Sequence, residues 1–339
     1  MITGIAHAIG AAGPTAVLDL ATLPKHGPGL AAALAEVRAR LSAAGLGNVS
    51  KIALVQPAAG PDADLELRFV QALPDGLNRF EFGGAGGHSV LAAVTVAARA
   101  GWIAPLDPIR PVRVRTLDNG GLVVCTARAA GPSLWRFDAE FVNHPPRSLD
   151  SLLTTGRPVD TVGHAGAAYQ VSIVSMGRPY VFVAARALGL DHPASLFAAD
   201  ERVRLHLEGI RRSAAAFAGR PADGAAPKVA AVGVAEDGRL FLRASAVAGW
   251  HPTLPLTGAG CLAAAVTIPG TIPHALAARG RHSGSQAPLD VDTPGGRAAV
   301  ATFMAPHRPD ALQSVSIGGT EVLVLSPAAR ATPPLAPHT

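Results

Sequence analysis

A helix that is apolar on every side cannot lie on a protein surface, and this chain has two of them, each behind a glycine-rich turn. Gly83-Gly-Ala-Gly-Gly-His-Ser leads into Ser89–Ala100, and Thr257-Gly-Ala-Gly-Cys leads into a run from Cys261 onward. Both runs are mostly Ala, Val and Leu, so each must be enclosed by other structure, as a helix threaded through a curved sheet would be. The second is cut short at Pro269-Gly-Thr, because proline has no amide hydrogen with which to continue the ladder.

The two helices belong to a wider internal repeat. Lys51-Ile-Ala-Leu-Val is echoed by Lys228-Val-Ala-Ala-Val, Gly86-Gly-His-Ser-Val-Leu-Ala-Ala-Val-Thr by Gly258-Ala-Gly-Cys-Leu-Ala-Ala-Ala-Val-Thr, and Asn119-Gly-Gly by Pro294-Gly-Gly. The three echoes keep the same order at offsets of 172 to 177 residues, which points to duplication of one supersecondary unit. Period-2 segments such as Leu65–Val70 and Val112–Thr116 read as strands. Amphipathic surface helices are expected over Pro28–Ala43 and Asp200–Ala218. A hinge is expected within Asn143–Gly163, where Pro145-Pro146 and Gly156 interrupt the pattern. The resulting expectation is an α/β (α+β) chain of two pseudo-symmetric halves, 1–155 and 156–330, each a curved sheet around a central helix, with 331–339 a frayed tail.

Composition narrows the function classes. Of 339 residues, 49% are hydrophobic and 16% charged, as in a core-rich folded protein. The net charge of +5 comes from scattered arginines rather than a basic run interleaved with aromatics, so no nucleic-acid partner is expected. Every long apolar stretch is interrupted by Gly, Pro or Arg, and Met1–Leu20 lacks a basic, then apolar, leader pattern. No membrane partner is therefore expected and the location is read as cytoplasmic. Cys125 and Cys261 are far apart and the twelve histidines are dispersed, which suggests neither a disulfide framework nor a metal site.

The glycine-rich helix starts are the strongest chemical signal. Free N–H groups and the positive dipole end at Gly86, Gly87 and Ser89, and at Thr257, Gly258, Gly260 and Cys261, suit a carboxylate. The alternative is that these glycines only make tight turns. Lys51, one of three lysines, opens an apolar strand; it is either an acid/base of lowered pKa or a strand-entry lysine snorkelling to water. Lys228 is read as that second, bland case. His88 is either a general acid/base or carboxylate donor, or a turn residue. Cys261 is either a thiolate at a helix N-terminus or a buried inert thiol. Arg178 either clamps a carboxylate or lies at the surface. The dinucleotide and P-loop patterns are not met.

Several of these segments resemble the PrpF family of methylaconitate isomerases and oxalomesaconate tautomerases, whose fold is diaminopimelate epimerase-like. They are Ser50-Lys51-Ile-Ala-Leu-Val, Leu153-Thr-Thr-Gly-Arg-Pro-Val-Asp-Thr-Val, Val171–Val183 with its Ser175-Met-Gly-Arg178 turn, Ile210-Arg-Arg-Ser-Ala-Ala-Ala and Thr253–Ala265. The resemblance implies that Lys51 acts as acid/base; Ser50, Ser175 and Arg178 are expected to help bind substrate, although the family's Asp-and-Asn-containing turn has become Ser175-Met-Gly-Arg178-Pro, and no cofactor or metal is expected. Departures are equally specific. The family's opening Gly-Gly-Thr-Ser-Lys-Gly motif is here Gly10-Ala-Ala-Gly-Pro-Thr, its Cys-Gly-Asn run is Gly86-Gly87-His88, and its Arg-Thr-Ala-Arg motif is Ser316-Ile-Gly-Gly-Thr. The expectation is thus a cofactor-independent isomerase or tautomerase that shifts a proton and double bond on a small carboxylate with fewer than three carboxyl groups. Such a role fits secondary metabolism, for instance 4-alkyl-proline building blocks, with a homodimer possible. The competing expectation is an accessory binding protein that kept the fold and lost the chemistry.

Overall fold

The computed structural model describes residues 2–73, 76–83, 86–224, 226–246, 249–280 and 288–326. Gly84 and Ala85 of the first glycine run, the boundary at 330 and the tail 331–339 lie outside the described residues.

The first half of the chain runs β1 (Ile2–Ala8), β2 (Thr15–Asp19), α1 (Gly27–Ala43), β3 (Lys51–Pro57), β4 (Leu65–Ala72), β5 (Phe80–Phe82), α2 (Gly87–Arg99), β6 (Pro111–Thr116), β7 (Leu122–Gly131) and β8 (Leu134–Ser148). The second runs β9 (Asp160–His164), β10 (Ala167–Ser175), β11 (Pro179–Ala184), α3 (Pro193–Phe197), α4 (Glu201–Phe217), β12 (Lys228–Val234), β13 (Leu240–Ala246) and β14 (Gly249–Trp250). It then continues through α5 (Leu256–Thr267), α6 (Ile272–Gly280), β15 (Leu289–Thr293), β16 (Gly296–Ala305) and β17 (Arg308–Ser326).

Strand pairing closes a ring in the order β1, β2, β3, β4, β6, β7, β8, β17 and back to β1, parallel at β2/β3 and β4/β6 and antiparallel elsewhere. The second series repeats it as β10, β11, β12, β13, β15, β16, β17 and β8, parallel at β11/β12 and β13/β15. A bridge from Leu153 to Val174 links the end of that series back to β10. Each parallel pair requires a crossover. In both series the first crossover carries a surface helix (α1 or α4), and the second carries the interior helix (α2 or α5). The long strands β8 and β17 are shared, so the ring around α2 takes its last strand from the far end of the chain.

Side-chain alternation sorts the strand residues between the two helix layers. On β3, Ile52 and Leu54 join Leu30, Leu34 and Leu41 of α1, whereas Ala53 and Val55 face the interior core around α2. On β12, Val229 and Ala231 pack with Leu207 and Ile210 of α4, whereas Ala230 and Val232 face the interior core around α5. Residues Gly87–Ala97 of α2 are all buried, and so is α5 apart from Thr257 and Thr267. This is the enclosure that their apolar sequences demand. The α5 helix ends at Thr267, before Pro269.

Two boundaries differ from the sequence expectation. Asn143–Ser148 belong to β8 and pair with β17, so Pro145-Pro146 does not open a hinge. The ladder absorbs the prolines in a bulge, stepping from Val142↔Ser314 to Arg147↔Leu312, while Asn143 Nδ2 donates to the Leu312 carbonyl. The second interior helix starts at Leu256, one turn earlier than the Gly258–Cys261 echo implied. The two helix starts are therefore 169 residues apart, from Gly87 to Leu256, and the sequence echo is displaced by about a turn.

Candidate active site

The starts of β3, β12, α2 and α5 converge on one cavity of about 380 Å3. Lys51 and Lys228 open β3 and β12, and alternation gives each the parity of the interior-facing residues that follow it, Ala53 and Val55 or Ala230 and Val232. Both lysines line the cavity. Each is also the entry residue of a parallel pair, Thr15↔Lys51 in one series and Tyr180↔Lys228 in the other.

Glycine lets the helix starts approach each other. A Cβ on Gly87 would lie 2.6 Å from Leu256 Cβ and 3.2 Å from the Phe141 ring, and one on Gly86 would overlap the ring of Phe69. The first intrahelical bonds run from Val90 N to Gly86 O and from Ala259 N to Pro255 O. The amides of Gly87, His88 and Ser89, and of Leu256, Thr257 and Gly258, precede those bonds and have no acceptor within their helix. Two positive helix ends thus meet at one cavity, which favours an anion there.

The side chains add positive charge. Burial pulls the Lys51 ammonium down to about 8. Lys228 is lowered to about 7, chiefly by burial and then by the neighbouring Arg178 and Lys51, with Glu81 opposing the shift. Among the described residues neither amine has a carboxylate within ion-pair distance. Burial holds His88 well below its ordinary value, helped by His251 and both lysines, so its imidazole is neutral. It stacks on His251 with ring centroids 6.0 Å apart, and burial lowers His251 to about 3. His251 Nδ1 lies 2.8 Å from the Thr253 carbonyl and 3.2 Å from the Thr253 amide, and Thr253 Oγ1 donates to the Gly10 carbonyl. His7, beyond Lys51, is lowered by partial burial and by that lysine.

The remaining polar groups hold the frame. Gln71 Nε2 donates to the carbonyls of Ser50 and Ala72, fixing the turn that delivers Lys51. Ser89 Oγ lies 2.9 Å from Thr15 Oγ1, tying the start of α2 to β2. Arg178 lines the cavity, but its Nη2 is held by Glu81 Oε1 at 2.7 Å across the two strand series. It is therefore not a surface arginine, and one of its guanidinium nitrogens is engaged by Glu81.

Of the residues singled out from sequence, Lys51, His88, Ser50, Gly86, Gly87, Ser89, Arg178 and Thr257 line this cavity. Four do not. Ser175 accepts from Arg147 through its backbone at the end of β10. Gly258 packs against Tyr180, where a Cβ would lie 2.9 Å from the ring. Gly260 and Cys261 fall in the second turn of α5 because that helix starts earlier than expected. The Cys261 thiol is fully buried, contacts Met176 N and the Arg178 carbonyl, and is pushed up to about 12 by burial, so it is the inert thiol. Lys228, His251, Gln71 and Leu256 were missed. The signal for Lys228 was present in the repeat itself, since its partner Lys51 shares both strand position and parity.

Among the described residues no group of three or more His, Cys, Asp or Glu side chains could hold a metal ion, and no single helix is long and apolar enough to cross a membrane.

The PrpF protein family model matches residues 136–302, from β8 into β16. Among solved structures, a methylitaconate-delta-isomerase is 19% identical with a TM-score of 0.64, over 97% of this chain and 98% of its own. A probable proline racemase from Agrobacterium radiobacter K84 with bound carbonate is 16% identical with a TM-score of 0.63, over 98% of this chain and 94% of its own. A hydroxyproline epimerase from Agrobacterium vitis with bound trans-4-OH-L-proline is 17% identical with a TM-score of 0.60, over 95% of this chain and 92% of its own. No curated protein sequence matches significantly. The fold is that of the diaminopimelate epimerase-like proteins. The chain is similar to the PrpF family over residues 136–302 and shares the fold of the methylitaconate-delta-isomerase over nearly its whole length.

Proposed function

We propose that this protein is a cofactor-independent isomerase that moves a proton, and with it a double bond, within a small unsaturated carboxylate. The observation that carries the reading is the placement of Lys51: a half-buried lysine without a carboxylate in ion-pair distance among the described residues, on the inner face of β3, at a cavity bounded by two helix N-termini. A substrate carboxylate fits against the free amides of Gly87–Ser89 and Leu256–Thr257. Removal of a proton next to the conjugated system places negative charge on the carboxylate oxygens, and the same amides stabilise that charge. Each such preorganised donor is worth a factor of about 10² to 10³ in rate. With its pKa near 8, Lys51 is present as both amine and ammonium close to neutral pH, which suits it to take a proton and return it. Neutral His88 supplies a hydrogen bond rather than a second positive charge.

The lining also supports a substrate with one or two carboxylates. Phe69, Ala72, Pro255 and Leu256 give the cavity apolar walls, and Ala12 and Gly13 offer no hydroxyl where the family's opening motif carries Thr and Ser. A tautomerase step in secondary metabolism accords with these features. The test is deuterium wash-in from D2O into unsaturated mono- and dicarboxylates, followed by proton NMR. Lys51→Ala should lose conversion between the double-bond isomers by about 10² or more, and full conversion in that variant would exclude the mechanism.

A further inference from the structure

We infer that Lys228 is the second proton carrier of this site, paired with Lys51 so that one lysine deprotonates one end of the allylic system and the other reprotonates the far end. This rests on the isomerase reading and deepens it. A 1,3-shift must take a proton from one carbon and deliver one to a carbon two bonds away, which a single short-reaching group does poorly when the two positions lie toward different walls. Here the two series of strands place one amine on each wall. Lys51 and Lys228 occupy the same position in β3 and β12, share interior-facing parity, and line one cavity. No described cysteine is available instead: Cys125 and Cys261 are fully buried in the core, outside the cavity lining. The histidines beside the amines are held neutral among positive neighbours, which makes them poor proton donors.

The proton count closes. The resting pair holds one ionisable proton between two amines. The neutral lysine takes a proton from the substrate and becomes an ammonium, while the other ammonium gives its proton to the far carbon and becomes neutral. The double bond moves between those carbons, the pair ends in the opposite state, and exchange with water resets it. In the reverse direction the lysines exchange roles. Electrostatics supports this sharing, because Lys51 is among the charges that disfavour a second ammonium at Lys228.

The experiment compares wild type, Lys51→Met and Lys228→Met in D2O with two isomer pairs, but-3-enoate with crotonate and itaconate with mesaconate, each offered from both ends. Proton wash-out from the starting isomer and appearance of its partner are followed separately by NMR. Both variants should lose isomerisation by about 10² to 10⁴. Their wash-out should fail reciprocally: the variant that still exchanges one isomer, within about tenfold of wild type, should fail on the other. Isomerisation within about tenfold of wild type in Lys228→Met, with Lys51→Met inactive, would overturn the pairing while leaving the isomerase reading intact. No exchange of any probe by wild type would overturn both. Should a variant misfold, reductive ¹³C-methylation of the wild-type chain, which has only three lysines, gives a second readout. Added itaconate should move the signals of Lys51 and Lys228 and not that of Lys25, and an unmoved Lys228 signal counts against the pairing.

Discussion

Replacing Lys228 by methionine should stabilise the protein, by an amount that depends on pH in a direction fixed by the structure. The amine titrates near 10.5 when exposed and at about 7 in the folded chain, where it is buried beside Arg178 and Lys51 with only Glu81 opposing. Below pH 7 both folded and unfolded chains carry the proton, and the folded state bears the full cost of a buried ammonium. At about 1.4 kcal/mol per pH unit, a shift of that size corresponds to about 5 kcal/mol. Between the two values only the unfolded chain binds the proton, so wild-type stability climbs with pH by up to about 1.4 kcal/mol per unit from this residue alone. Above 10.5 neither state binds it, and the penalty is gone.

Methionine is similar in length and apolar, and it does not titrate. The variant should therefore exceed wild type by about 3 to 5 kcal/mol at pH 6.5, and this advantage should shrink steadily toward pH 10. Urea unfolding at half-unit steps from pH 6 to 10 measures it, and comparing the two proteins cancels the thiols and other groups common to both. Parallel stability curves for the two proteins, or a variant less stable at pH 6.5, would refute the placement of a charged amine in that cavity.

Gly87→Ala forces a Cβ against Leu256 and Phe141. It should cost about 1 to 3 kcal/mol by overpacking and abolish turnover, and adding Leu256→Ala should recover part of the stability in a double-mutant cycle followed by thermal unfolding. Cys261→Ala should leave KM and kcat within about twofold, and the native thiol should resist iodoacetamide over hours, because burial pushes it up to about 12 in the second turn of α5. Glu81→Gln removes the one group that raises the Lys228 pKa and unpairs Arg178. The low-pH limb of the rate profile should therefore move to lower pH, and an unshifted limb would show that Lys228 does not set it.

The sequence made the enclosure of the two interior helices legible, because Ala, Val and Leu on every face leave a helix no solvent side. It also made the two surface helices legible to within a residue or two at their ends. Strand exchange was not legible: nothing in Ser316–Thr320 announces that β17 runs along β8 and closes the ring around α2. Such a pairing depends on contacts more than 160 residues apart in the chain, as Val315↔Phe141 shows. The helix start at Leu256 was hidden for a different reason. In so uniform a stretch of Ala and Gly, a slip of one turn keeps the apolar match, so the echo fell on Gly258–Cys261 while the free amides lie at Leu256–Gly258.

Lys228 shows most clearly what the repeat encodes. Strand-entry lysines commonly snorkel to water, and that is the expectation for Lys228 taken alone. Yet alternation already assigned it to the face of Ala230 and Val232, the same face that Ala53 and Val55 assign to Lys51. If duplication makes one lysine an interior residue, it makes the other one too. A buried ammonium without a counter-ion lowers stability wherever it occurs, and a chain with only three lysines has placed two of them at one cavity. Packing does not call for that arrangement, whereas a reaction that must lift a proton from one carbon and return it to another does.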